Sequence, residues 1–300
     1  MPKPIVECVP NFSEGRHQKV IDAIVAAISA VAGVTVLDVK PDADHNRTVV
    51  TFVGEPEPVE EAAFQGIAKA AELIDMTVHE GEHPRVGAAD VIPFVPIRDV
   101  AMNECVAMTT RLGARVGSEL GIPVYLYESA ATSPDRRNLE DVRRGEYEGL
   151  KREIEFNPAR EPDFGPKKMG TAGATIIGAR PPLIAFNVYL TTDDVSSAKK
   201  IARAVRYSSG GLRYVKAMGL STEGQVQVSM NLTDYRRTPI HRVMEMVRRE
   251  AARYGAGVAS SEIIGLIPQK ALIDAALYYL QLDGFSSDQV LESRLVEAEG

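Results

Sequence analysis

His79-Glu80-Gly81-Glu82-His83 carries the most evident chemistry in this chain, because it satisfies the H-E-x-x-H spacing of zinc peptidases. That spacing puts two imidazoles on one face only when the segment is helical. Gly81 weakens such a helix, and Pro84 directly after His83 drives His83 away from helical dihedrals. A shaped polar loop suits the same residues better. Two of the chain's five histidines fall there, beside Glu80, Glu82, Arg85 and Asp90. A histidine so placed can move a proton near neutral pH while a neighbouring carboxylate fixes its tautomer. The bland alternative is a solvated loop whose charges do no chemistry.

A second cluster, Asp38, Asp42, Asp44, His45, Asn46 and Arg47, lies at the junction of two strands. Turn chemistry accounts for Asp and Asn there. Arg47 is different, because an apolar strand follows at once and a half-buried guanidinium usually pairs with a carboxylate or phosphate. Asn11-Phe12-Ser13-Glu14-Gly15-Arg16 joins the first strand to its helix. Ser13 fits a helix cap, and the amides at that helix start offer an alternative site for an anion. Gly165-Pro166-Lys167-Lys168-Met169-Gly170-Thr171-Ala172-Gly173 is glycine-rich and basic but matches neither the P-loop nor the dinucleotide fingerprint. It reads equally as a loop holding an anionic or flat ligand against its backbone and as a flexible linker. Cys105 falls on the apolar side of its helix with Met102, Met108 and Leu112, a position for burial rather than nucleophilic work.

The elements that must position these residues follow from hydrophobic period. Ile5–Val9 reads as a strand, 18–30 as a helix, Val34–Val39 and Thr48–Val53 as strands around the turn Pro41-Asp42-Ala43-Asp44, and 59–73 as a helix. Residues 75–96 mix glycine, proline and charge without a period and are expected to form a functional loop. A helix near 100–120 and a strand Val124–Tyr127 follow. Residues 145–173 read as a long connection or binding loop. The second half predicts a strand 183–190, a helix 195–205 capped by Asp193 or Asp194, and strands 212–217 and 225–231. Thr238 as N-cap and Pro239 at the first helical position start the next helix, and a strand 258–266 and a helix 271–282 complete it. The order is β-α-β-β-α-β, and the first half begins in the same way. The expected fold class is α+β: two subdomains, residues 1–180 and 181–300, each a mainly antiparallel sheet with helices on one face and ferredoxin-like topology.

Composition narrows the function classes. The 34 basic residues against 41 acidic ones give a formal charge of −7, which argues against a general nucleic-acid surface while allowing a local anion pocket. Cys8 and Cys105 are far apart and in no CxxC pair, against a disulfide scaffold or thiolate zinc site. No apolar run approaches membrane-helix length, and the proline-rich start MPKPIVECVP is unlike a secretory signal, so a soluble, cytoplasmic protein is expected.

Several strings resemble the glutamate formimidoyltransferase family. They are Val6-Glu7-Cys8-Val9-Pro10-Asn11-Phe12-Ser13-Glu14-Gly15, then Asn46-Arg47-Thr48-Val49 with Phe52-Val53-Gly54, and Gly81-Glu82-His83-Pro84-Arg85 with Gly87 and Asp90. Val124-Tyr125-Leu126-Tyr127, Pro162-Asp163-Phe164-Gly165-Pro166, Ala185-Phe186-Asn187 and Val258-Ala259-Ser260-Ser261 extend the likeness over nearly the whole chain. The resemblance implies transfer of a formimidoyl group from N-formimidoyl-L-glutamate to tetrahydrofolate, a homodimer, and a folate held between the subdomains. It implies that His83, not His79, is the catalytic residue and that Gly165–Gly173 contacts the folate. Asn11, Asp38, Arg47 and Arg85 become candidates for substrate binding, and Asp42, Asp44 and Glu82 for the carboxylate that orients His83. No metal is expected. The rivals are formyl transfer from N-formyl-L-glutamate on the same scaffold, a zinc-dependent hydrolase using His79 and His83, and a folate-binding relative without turnover.

Overall fold

A computed structural model describes residues 3–222 and 224–299. The chain divides into two compact units, Met1–Pro181 and Pro182–Gly300. The first contains β1 (Ile5–Cys8), β2 (Asn11–Phe12), α1 (Gln18–Ser29), β3 (Val34–Asp42), β4 (Arg47–Gly54), α2 (Pro56–Leu73), β5 (Ala89–Arg98), α3 (Met102–Arg115), β6 (Val124–Glu128), α4 (Leu139–Val142), α5 (Glu146–Glu153) and β7 (Thr175–Ala179). Its strands form one sheet: β3 borders β4, then come β1 and β2 in line, then β5, β7 and β6. The sheet is mixed rather than mainly antiparallel. The β1, β2, β3 and β4 pairings are antiparallel, but β5–β7 and β6–β7 are parallel. Parallel neighbours need long crossovers, and α3 with the 129–174 segment supplies them.

The apolar period of α1 buries Ile21, Ile24 and Ile28. Ile24 and Ile28 pack with Phe12, Phe52, Ile67 and Phe94 in a core that draws on residues from Val6 to Ala179.

Several boundaries differ from the sequence reading for identifiable reasons. Residues 75–88 are loop, but Ala89–Pro96 belongs to β5, which is buried and central. Pro93 and Pro96 hide it, since proline removes a ladder donor. The fold accommodates Pro93 opposite the break between β1 and β2: Cys8 pairs with Phe94 and Asn11 with Val91, leaving Val9-Pro10 facing Ile92-Pro93. β3 runs through Pro41 to Asp42, so the turn falls at 43–46. Among the described residues β3 pairs only with β4, and an edge strand tolerates proline. Residues 146–153 form α5 rather than open connection, burying Tyr147 and Leu150.

The second unit contains β8 (Ile184–Leu190), α6 (Val195–Val205), β9 (Val215–Thr222), β10 (Gln225–Leu232), α7 (Ile240–Ala252), β11 (Val258–Ile264), α8 (Gln269–Leu280) and α9 (Leu291–Glu299). Its sheet is antiparallel in the order β11-β8-β10-β9. Alternate residues of β8 (Ile184, Phe186, Val188, Leu190) are buried with Ile201, Val243 and Val247 from α6 and α7. Asp194 caps α6 as expected, accepting from the Ser196 and Ser197 amides. Thr238 does not cap α7: its hydroxyl donates to the Arg213 carbonyl at 2.6 Å, and Pro239 takes the cap position. Among the described residues no helix is long and apolar enough to cross a membrane.

Candidate active site

Three segments of the first unit converge: the β2–α1 corner, the β3–β4 turn and the 79–88 loop. Asn46 joins them. Its backbone is left-handed at φ 48°, a conformation asparagine tolerates. Its side chain accepts from the Gly15 amide at 3.0 Å and donates to the Glu80 carbonyl at 2.8 Å. Gly81 passes so close that a Cβ there would stand 2.6 Å from the His45 carbonyl oxygen. The glycine that argues against a helix therefore has a positive role, as the point where two backbones meet. Residues 79–83 are not helical, so the geometry of a zinc-peptidase motif is not formed. Among the described residues no group of three or more His, Cys, Asp or Glu side chains gathers as a metal site.

The two histidines of that string have different surroundings. His79 Nε2 lies 3.2 Å from the Asn46 carbonyl, and Arg85 Nε is 3.4 Å from its Nδ1. Arg85 is 7% exposed and is clamped by both oxygens of Glu148 (2.7 and 3.0 Å) and by Glu146 (3.0 Å). It is thus a structural brace between the loop and α5, reinforced by the Tyr147 amide donating to its carbonyl. His83 is half-buried, with Nε2 2.7 Å from Arg47 Nη1. Burial, together with the charges of Arg47, Arg143 and His45, holds the His83 ring down at about 2, against an opposing backbone hydrogen bond at Pro84. His83 is therefore neutral at any physiological pH.

Asp42, a candidate for orienting His83, is engaged by His45 instead. Its Oδ1 accepts the His45 amide at 3.0 Å and its Oδ2 faces Nδ1 at 2.7 Å. Burial would raise this carboxyl, but the His45 contacts and the nearby Arg47 hold it below the usual range. The His45 ring stands edge-on to His83 with centroids 6.4 Å apart. Asp44 and Glu82 are exposed, and the nearest cation to Asp38 is Lys40 at 3.9 Å. The hydrogen-bond partner that the geometry gives the His83 ring is thus Arg47, not one of the expected carboxylates. Asn11 Oδ1 lies 3.5 Å from Arg47 Nη1.

The Ser13 hydroxyl does not cap α1; it donates to the Gly87 carbonyl at 2.7 Å. The amides suggested for an anion are taken by Glu14, whose Oε1 accepts from Arg16 (2.7 Å) and His17 (2.9 Å).

Gly165–Gly173 divides into two parts. Residues 165–168 are exposed, with Lys167 paired to Glu161 at 2.6 Å. Residues 171–174 are stitched to the segment following His83: Ala88 N–H donates to the Ala172 carbonyl at 2.8 Å and Ala174 N–H to the Val86 carbonyl at 3.0 Å. Gly173 sits at φ 74° with room for no side chain, since a Cβ would stand 2.4 Å from the Val86 carbonyl oxygen. Met169 is buried.

Asp90 and Arg143 complete the surroundings. Asp90 is 2% exposed; its Oδ1 accepts from the Val86 amide at 2.8 Å and its Oδ2 from Arg143. Sequence reasoning missed Arg143, which directly follows α4. It lies in the charged run Arg143-Arg144, and no local pattern marks which arginine turns inward toward a partner 53 residues away. The braces Glu146 and Glu148 were equally invisible. Neutral His83, bordered by two guanidinium groups in a largely buried corner, can accept a proton and can be approached by an anionic substrate.

Comparison with known proteins places this geometry in a family. A model described as the formiminotransferase domain, N-terminal subdomain, matches residues 5–180, and one described as the formiminotransferase domain matches residues 185–297. The glutamate formimidoyltransferase of Thermoplasma acidophilum is 54% identical over 298 residues, covering 98% of each chain. That of Streptococcus pyogenes serotype M1 is 50% identical over 296 residues, 97% of this chain and 99% of the other. The formimidoyltransferase-cyclodeaminase of Mus musculus is 46% identical over 284 residues, 92% of this chain but 52% of its own. With both domain models matched in order along its length, the chain belongs to the formiminotransferase family.

Proposed function

We propose that this protein transfers the formimidoyl group of N-formimidoyl-L-glutamate to N5 of tetrahydrofolate, releasing L-glutamate, with His83 as the proton acceptor and donor. Family membership and full-length likeness to two glutamate formimidoyltransferases support the reaction. The observation that carries the assignment to His83 is its neutral, half-buried ring beside Arg47. The formimidoyl carbon passes from the glutamate nitrogen to N5; His83 accepts the N5 proton and returns it to the departing nitrogen. Neither a metal nor a covalent enzyme intermediate is required. Holding two anionic substrates together and excluding water would supply the remaining acceleration.

Arg47 and Arg143 are the groups best placed for a donor carboxylate. For a folate tail, exposed Lys168 is better suited than Lys167, which already faces Glu161. Ferredoxin-like topology is part of this reading: the order β11-β8-β10-β9 with α6 and α7 intervening supports it for the second unit. The two subdomains 1–180 and 181–300, a homodimer and a cytoplasmic location are also part of it. The test is glutamate release on mixing the protein with tetrahydrofolate and N-formimidoyl-L-glutamate or, in parallel, N-formyl-L-glutamate. Release from the formimidoyl donor alone supports the reading; release from the formyl donor alone replaces it.

A further inference from the structure

We propose that Arg47 covers the basic nitrogen of His83 until a carboxylate of the glutamate donor draws the guanidinium away, so that the base is exposed only in an occupied site. The inference rests on the transfer reaction proposed above and concerns when its base becomes available.

Arg47 Nη1 stands 2.7 Å from His83 Nε2. A guanidinium has donors only, so Nε2 accepts and the ring proton sits on Nδ1. The lone pair that would take a proton is therefore occupied. Arg47 itself is poorly satisfied. Its contact with Asn11 Oδ1 is long, at 3.5 Å, and its buried Nε has no partner among the described residues. The neighbouring carboxylates are engaged elsewhere: Asp42 faces the amide and ring of His45, and Asp90 faces the Val86 amide and Arg143. Arg143 likewise has a buried Nε without a partner. A neutral imidazole is a modest acceptor for a half-buried cation. A carboxylate offers two parallel, charge-assisted bonds, each roughly twice as strong as a neutral one. Exchange of Arg47 from His83 to a donor carboxylate is favourable in that direction.

Only the side chain needs to move. Arg47 opens β4, is paired in register with Asp42, and is packed against Gly15 so closely that a Cβ there would stand 2.7 Å from its amide nitrogen. In the exchange Nη1–H changes acceptor and no covalent bond breaks. The charged and titratable groups around His83 are Arg47 on β4, Arg143 after α4 and His45 in the β3–β4 turn, and all three depress its basicity. A carboxylate on Arg47 offsets the nearest of these charges and moves His83 toward the range where a general base works well.

The test is histidine ¹⁵N NMR of the full chain, with the His83 signal assigned by its loss in His83→Gln. The probe is L-glutamate, which carries both donor carboxylates and nothing to transfer. In the protein alone His83 should stay uncharged throughout the accessible acid range. With saturating L-glutamate its midpoint should rise by about two pH units or more, into the range where the charged ring is seen. In Arg47→Met the higher midpoint should be present without glutamate, and glutamate should move it no further. Arg47→Lys keeps the charge but not the fork and should retain part of the response. Glutamate binding, seen by calorimetry, with an unmoved His83 signal overturns the proposal and leaves the transfer reaction standing. Lack of glutamate binding also overturns it, and the glutamate-release assay then decides separately whether the reaction fails with it.

Discussion

At the scale of single residues, His83 and His79 should separate cleanly. His83→Gln removes the proton carrier and should lower the transfer rate by about 10²–10⁴-fold, the usual worth of a general acid–base group. His79→Gln keeps a donor for the Asn46 carbonyl and should cost no more than a few-fold. Glutamate-release rates at saturating substrate check both, and equal large losses would return the zinc reading to consideration. His83 should also leave a mark on stability. Its ring is held at about 2 in the folded protein against an ordinary value of 6.5. Between those values the unfolded chain binds a proton that the folded protein refuses, so stability is full above pH 6.5 and declines as the pH falls below it. Urea midpoints at pH 7 and pH 5 should therefore differ less in His83→Gln than in the unaltered protein. His79 and His241 are also held low, by burial first, so some acid sensitivity should remain in the variant. An identical pH dependence in both proteins would mean that His83 is ordinarily solvated.

At the scale of elements, the site depends on a backbone seam between residues 86–88 and 172–174. Gly173→Ala places a methyl against the Val86 carbonyl in a left-handed conformation and should cost roughly 1–3 kcal/mol of stability. Because the seam follows His83 directly, activity should fall as well. Gly170→Ala is the control: a Cβ there meets nothing within 4 Å, and the change should be near neutral or slightly stabilising. Urea unfolding of the two variants makes the comparison, and equal midpoints would show that the seam yields easily. Gly173 also shows what was legible and what was not. Its glycine-rich neighbourhood was conspicuous, but composition does not distinguish a flexible linker from a close backbone approach. Helices with a clean apolar period, such as α1, α6 and α7, could be read within a few residues. β5 could not, because Pro93 and Pro96 signal loop; the break between β1 and β2 makes room for Pro93, and Pro96 falls opposite Val6 at the register shift between Ile5 and Val6.

At the scale of the whole chain, legibility follows sequence distance. His83 and Arg47 were identifiable from their local strings, whereas the contact between them spans 36 positions and the Asp90–Arg143 pair spans 53. Local pattern carries no information about such meetings; the mixed sheet creates them by bringing the β3–β4 turn, the 79–88 loop and the end of α4 together. All the described His83 partners fall within residues 1–181, as does the first hydrophobic core, which draws on residues from Val6 to Ala179. The second core draws on residues from Ile184 to Ala271, under a complete four-stranded sheet of its own. A segment that supplies both its own sheet and its own core meets the physical requirement for independent folding. Residues 182–300 expressed alone should therefore unfold cooperatively in urea, with the mixed helix and strand circular dichroism of α6–α9 and β8–β11. Residues 1–181 alone should show the same His83 ¹⁵N signal as the full chain, because the Arg47 contact needs nothing from beyond Pro181. A gradual, uncooperative transition in the first experiment would show that the second core is too small to stand alone. A shifted His83 signal in the second would show that residues after 181 help to hold the β3–β4 turn against the 79–88 loop.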